Sequence, residues 1–103
     1  PNTTATKVKL AKQTTKVKAN GKKKIKVSWK KDKKASGYEI TYSTKKSFKG
    51  KKTIVVKSNK TTSKVVKKLT SKKKYFVKVR SYKQVGKTKT YGAYSKVKTV
   101  KVK

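Results

Sequence analysis

Nearly every side chain in this sequence that could do chemistry is a lysine amine. The 103 residues include 35 Lys and Arg but only two acidic residues, Asp32 and Glu39, and no His, Cys or Met. The usual general bases, thiolate nucleophiles and soft metal ligands are therefore missing. Two carboxylates are also too few parts for a catalytic carboxylate pair or an oxygen-ligated calcium site. The composition argues against an enzyme and predicts neither a cofactor nor a metal.

One short motif, Gly86-Lys87-Thr88, mimics the end of a phosphate-binding loop. A true loop of that kind needs a Gly five positions before Gly86, where Ser81 stands, and a helix after the motif. We therefore expect a hairpin loop at this place.

The charge itself predicts partners. The formal net charge is +33, and Arg80 is the single arginine. Arginine gives planar, bidentate phosphate recognition, whereas a surface made of lysine attracts polyanions strongly and without specificity. We expect binding to teichoic acid, glycosaminoglycans, nucleic acid of any sequence and anionic lipid surfaces. Mutual repulsion also predicts a monomer.

The elements that must carry these lysines are strands, because the dominant sequence period is two. Val, Ile, Thr and Tyr alternate with Lys, which predicts half-buried strands with lysine on the wet face. The clearest runs are residues 7–10, 16–18, 24–29, 38–42, 75–80 and 96–103. Turn signals separate them, including Asn20-Gly21 and Gly86. About seven short strands, with no linker and no apolar run long enough to span a membrane, predict one antiparallel β-sandwich domain over residues 1–103.

Strand alternation also sorts the side chains into a core and a candidate binding face. We expect Val66 inward rather than Val65, and we place in the core Trp29, Tyr38, Ile40, Leu69, Tyr75, Val77 and Val79. The outer positions of the same strand are Phe76, Lys78, Arg80 and Tyr82. Glu39 and Thr41 should face outward beside them, with Lys89 and Tyr91 nearby on the last strand.

Aromatics between cations can stack on sugars or bases while the charges hold phosphate or sulfate. The polyanion-binding candidates are therefore Lys78, Arg80, Lys83, Lys87, Lys89, Phe76 and Tyr82. The plainer interpretation, which we favour, is that these aromatics simply cover exposed sheet. Glu39 beside Arg80 is then a cross-strand ion pair rather than part of a site.

Several segments together resemble a fibronectin type III domain. Residues 25–29, ending in Trp29, are similar to the second strand of that family, and residues 37–42 are similar to its third. Leu69, six residues before Tyr75, resembles the tyrosine corner. The resemblance implies a seven-stranded immunoglobulin-like sandwich that is not catalytic and serves as a spacer, adhesion or carbohydrate-associated module.

More narrowly, residues 35–44 and 74–82, with residues 91–95, resemble domains from secreted or wall-attached proteins of Gram-positive Firmicutes. This implies an extracellular, secreted or cell-wall-associated module of a longer surface protein, whose charge associates it with anionic polymers of a cell wall or host surface. Two alternatives remain open: a dedicated nucleic-acid-binding protein, and a natural scaffold that carries engineered positive supercharge.

Overall fold

The computed structural model describes residues 10–103, which form two antiparallel β-sheets. The strands are β1 (Thr15–Ala19), β2 (Ile25–Trp29), β3 (Gly37–Ser43), β4 (Lys52–Val56), β5 (Ser63–Val66), β6 (Lys74–Val85), β7 (Thr88–Tyr91) and β8 (Lys98–Lys101). The three-stranded sheet has the order β1-β2-β5. The five-stranded sheet has the order β4-β3-β6-β7, and β8 pairs with the other end of β6. Of the strand predicted at residues 7–10, only Leu10 lies within the described part of the chain.

The two-residue period places apolar side chains between the sheets. In β2 the inner residues Ile25, Val27 and Trp29 are 0%, 0% and 7% exposed. The seven residues expected in the core are all buried, and Leu10, Ala35 and Val102 belong to the same cluster. Val66 is buried and Val65 only half-buried, as the spacing predicted. The core is thus made by alternation from both sheets, without disulfides.

The prediction of seven strands is wrong, because residues 10–103 form eight. The last strand is interrupted after Tyr91. Tyr82 pairs with Tyr91 and Val77 with Lys98, so five steps along β6 are matched by seven steps along the partner. Ser95 occupies the gap, where its backbone N–H donates to the Val79 carbonyl and its Oγ accepts from the Val79 N–H. Two extra residues therefore divide one edge strand into β7 and β8.

Three local features at or near the ends of strands could be predicted or explained from single residues: a tyrosine corner, a hairpin turn and a tightly packed glycine. The backbone N–H of Thr70 donates to the Tyr75 hydroxyl at 2.9 Å, which confirms the expected tyrosine corner. Val85 pairs with Thr88 across a two-residue turn, so Gly86-Lys87-Thr88 is a hairpin as predicted. Gly37 is required by close packing, because an added Cβ would overlap the carbonyl oxygen of Val56.

Candidate functional site

The outer face of the five-stranded sheet carries a cluster of aromatic rings and cations, which we call the aromatic–cation face. Strands β3, β6 and β7 supply its centre, and two connecting segments supply rings that lie over it. Its members are Glu39, Phe48, Phe76, Lys78, Arg80, Tyr82, Lys89, Tyr91 and Tyr94.

Arg80 lies at the centre of this face. Its guanidinium carbon is 3.7 Å from the ring centroid of Tyr91 and 4.6 Å from that of Tyr94. Its Nη2 is 2.9 Å from Oε1 of Glu39, and its Nε donates to the same oxygen at 3.0 Å. Glu39 and Arg80 are directly opposite in the register of β3 and β6, so the expected cross-strand pair is present. A planar guanidinium suits this place because it can stack and form a fork of hydrogen bonds at once.

Two lysines repeat the arrangement on either side of Arg80. Lys78 Nζ lies between two rings, 4.3 Å from the centroid of Phe48 and 4.2 Å from that of Tyr94. Lys89 Nζ lies 4.6 Å from the centroid of Tyr82 and 4.0 Å from Oε2 of Glu39. The quadrupole of each ring attracts the cation over it. The Glu39 carboxylate also interacts with both Arg80 and Lys89. These cations are therefore partnered within the protein.

Phe48 and Tyr94 were missed as members of the face because loops carry them. Phe48 has a φ of 63°, in the left-handed region that bulky residues seldom adopt. This conformation accompanies the position of its ring over Lys78. Tyr91 and Tyr94 are three residues apart and would point to opposite faces of a regular strand. The interruption after Tyr91 places both rings against Arg80. In the sequence, the only signal was that these aromatics occur near glycines.

Several side chains at the centre of the aromatic–cation face are buried. Glu39 and Thr41 lie on the outer side of β3 as expected, and they are only 7% and 0% exposed. Tyr82 is 3% exposed, and its ring lies against Gly37 and beneath Lys89. In this arrangement the ring of Tyr82 is not open to a sugar or a base.

The structure separates the seven polyanion-binding candidates. Phe76, Lys78, Arg80, Tyr82 and Lys89 belong to the aromatic–cation face, and Phe76 is half-buried with Lys74 Nζ 5.6 Å from its ring centroid. Lys83 is at an alternate position of β6, where side chains point to the other side of the sheet, and Lys87 lies in the hairpin turn. Neither of these two lysines joins the face.

Two tyrosine hydroxyls in the sandwich have raised pKa values. Burial raises the pKa of Tyr38, while a hydrogen bond from the backbone of Asp32 opposes the shift and the charge of Asp32 adds to it. That hydroxyl also donates to the carbonyl of Asn59 at 2.8 Å. Burial, with a smaller contribution from Tyr75, raises the pKa of Tyr42. Both hydroxyls therefore resist ionisation, and the Tyr38 hydroxyl also links two loops through its hydrogen bonds.

The described residues contain no group of three or more His, Cys, Asp or Glu that could hold a metal ion. In the same part of the chain, no helix has the length and apolar character that crossing a membrane requires.

Comparison with known proteins finds one matching family model and several similar solved structures. The sequence model of the fibronectin type III domain matches residues 11–98. The crystal structure of the chicken CNTN1 FN1-FN3 domains aligns with a TM-score of 0.73 at 26% identity, over 87% of this chain and 29% of that one. The fn3 domain of human contactin 1 aligns with a TM-score of 0.71 at 19% identity, over 86% of this chain and 73% of that one. This chain therefore spans less than a third of the chicken structure. No curated protein sequence matches it.

Proposed function

The chain belongs to the fibronectin type III family, and on that premise we propose that it is a non-catalytic extracellular module that associates with anionic polymers through its charge. Its fold is a packed scaffold with an apolar core and a surface that carries many lysines. A scaffold of this kind fixes no chemistry by itself, so the function must be argued from the surface.

The observation that carries the proposal is the imbalance of charge on that surface. Of the two carboxylates, Glu39 is held by Arg80 and Lys89. Asp32 accepts hydrogen bonds from the backbone N–H groups of Lys34 and Ala11. Two side-chain carboxylates cannot balance 35 cationic side chains, so most of the lysines remain unneutralised. An unneutralised cationic surface gathers a polyanion by counterion release, whatever the detailed shape of that polymer.

We further infer that the polymer is an anionic component of a Gram-positive cell wall, with the module secreted or attached to that wall. The resemblance of residues 35–44 and 74–82 to modules of such proteins supports this. Teichoic-acid phosphates are the abundant anions of such a wall. A spacer that adheres to them would keep its parent protein close to the wall.

The test is binding of the purified protein to isolated Gram-positive walls before and after chemical removal of teichoic acid. Heparin, duplex DNA and vesicles with anionic or only zwitterionic lipids give the comparison at several salt concentrations. We expect binding to treated walls to fall by at least about tenfold, and the logarithm of every affinity to decline linearly with the logarithm of salt. Zwitterionic vesicles should not bind.

Two results would contradict the proposal. Equal binding to walls with and without teichoic acid would remove the wall polymer as partner. Absence of binding to any anionic polymer at low salt would remove association through charge altogether.

A further inference from the structure

A lysine-lined groove runs along the junction of the two sheets, where β1 lies alongside β8. Its main part has a volume of about 520 Å³ and is lined by four lysines, Lys16, Lys18, Lys26 and Lys98, with Val17 and Ser28 among them. Adjoining hollows of about 470 and 300 Å³ both include Lys16 and continue the concavity along the same strand. We call the three together the seam groove.

The lysines of the seam groove are placed against one another. Lys18 is directly opposite Lys26 in the register of β1 and β2. Lys16 is two residues away on the same face as Lys18, a separation of about 7 Å along a strand. Like charges opposite each other in an antiparallel pair destabilise it. An anion between them would replace this repulsion with attraction.

This cluster differs from the aromatic–cation face in having no internal partner. Lys78 and Lys89 are held over rings, and Arg80 is paired with Glu39. Among residues 10–103, none of the four groove lysines forms a salt bridge or a cation–π contact, and both side-chain carboxylates interact with other residues. The groove therefore has concave shape and unpartnered charge at the same place, a combination that the predicted face does not offer.

The lining also narrows the class of ligand. Bases and sugar rings are bound by stacking on exposed aromatics. The one aromatic that lines the groove is Trp29, which is 7% exposed and donates its indole N–H to the carbonyl of Thr61. The groove thus offers ammonium groups and hydroxyls for anions, but no platform for a ring.

We propose that the seam groove is a binding site for a flexible single-chain phosphodiester polymer whose repeating units carry no base. Lys16, Lys18, Lys26 and Lys98 pair with successive phosphates. The inference rests on the proposed association with anionic polymers and assigns that association to one place. A polymer of alcohol units joined by phosphate is thin enough for such a groove, and its binding requires no stacking.

The experiment compares two variants that each lower the formal charge by four. The groove variant replaces Lys16, Lys18, Lys26 and Lys98 with Gln. The control variant also replaces four lysines with Gln, namely Lys45, Lys46, Lys49 and Lys51. These are exposed around the β3–β4 connection and line no part of the groove. The probes are a glycerol phosphate oligomer, an oligothymidylate and a heparin oligosaccharide with the same number of anionic groups. Affinity is measured at several salt concentrations, and backbone amide shifts locate the bound probe by NMR.

We expect the groove variant to lose at least about tenfold in affinity for the glycerol phosphate oligomer, and the control variant at most about twofold. Loss of four phosphate contacts should also reduce the salt slope by about 3, at about 0.7 per contact on a single strand. Amide shifts should concentrate in β1, β2 and β8. The amide spectrum of the unbound groove variant checks its fold.

Other outcomes separate the two proposals. Equal losses in both variants, or shifts spread over the surface, would overturn the groove while leaving association through charge intact. Tighter binding of oligothymidylate or heparin than of glycerol phosphate would overturn the class of ligand. If the unsubstituted protein binds none of the probes, the proposed association with anionic polymers is refuted as well.

Discussion

Arg80 is the residue whose removal tests the aromatic–cation face most directly. Replacing it with Met keeps a long apolar side chain in place and deletes the guanidinium. The two ring contacts of Arg80 at 3.7 and 4.6 Å contribute about 0.5–1 kcal/mol each. Its pairing with Glu39 adds about 1 kcal/mol, near the upper end for surface pairs because the side chains are only 24% and 9% exposed.

Two effects reduce the loss. Lys89 is already 4.0 Å from the other oxygen of Glu39 and can partly replace Arg80. Removal of one positive charge from a chain of net charge +33 also relieves repulsion. In about 0.5 M NaCl the Debye length is about 4 Å, so the second effect is small there. We therefore expect Arg80→Met to lower the free energy of unfolding by about 2 kcal/mol at high salt, and by less at about 10 mM.

Urea denaturation at both salt concentrations measures this, because urea leaves the ionic strength unchanged. Lys46→Met is the matched control, since it deletes the same charge at an exposed position outside the face and should change stability by less than about 0.5 kcal/mol. Arg80→Lys keeps the charge but loses the planar fork, so it should retain less than half of the stabilisation. A loss at high salt no greater than that of the control would refute the assignment.

Four further outcomes follow from the fold. Tyr75→Phe removes the acceptor of the Thr70 N–H and should cost about 1–2 kcal/mol by urea denaturation; an unchanged midpoint would exclude a stabilising corner. Gly37→Ala forces backbone atoms of two strands apart and should lower the melting temperature by more than about 10 °C, which a native-like melt would contradict. Raising NaCl from about 10 to 500 mM should raise the melting temperature, and a flat or falling melt would rule out self-repulsion as a destabilising force. The pKa values of Tyr38 and Tyr42 in the folded protein are raised above 10.0, so on raising the pH the unfolded chain loses these two protons first. The stability that depends on their neutral hydroxyls is therefore complete below pH 10 and declines as the pH rises through the pKa values of the folded protein. Phenolate absorbance of the folded protein should show that these two tyrosines ionise at a higher pH than free tyrosine does. Ionisation of both at the pH of free tyrosine would count against burial as the cause.

The core could be read from the sequence because a strand sets its own alternation. Ile25, Val27 and Trp29 are two residues apart, so all three had to lie on one face of β2, and the only dry face is the one between the sheets. The tyrosine corner was predictable for a related reason, since its two partners are close in sequence. Local spacing fixed both features.

The seam groove was outside the reach of the sequence. Lys18 and Lys26 could be placed on outer faces, but lysine is the commonest residue of this sequence and nothing in it singles these two out. Their opposition depends on the register of β1 with β2, and the concavity depends on how close β8 lies to β1. Neither the register of two strands nor the distance between two sheets can be read from the sequence of one strand.

By itself, then, the sequence determined an all-β sandwich, its inward residues and an excess of positive charge that two carboxylates cannot balance. The tertiary structure decided which charges have partners. Tyr91 and Tyr94 meet Arg80 together because two extra residues interrupt the edge strand, and Phe48 reaches Lys78 from a loop. The physical reason is that strand alternation is a local steric rule, whereas the partner of a charge depends on which distant segments the fold brings within a few ångströms of it.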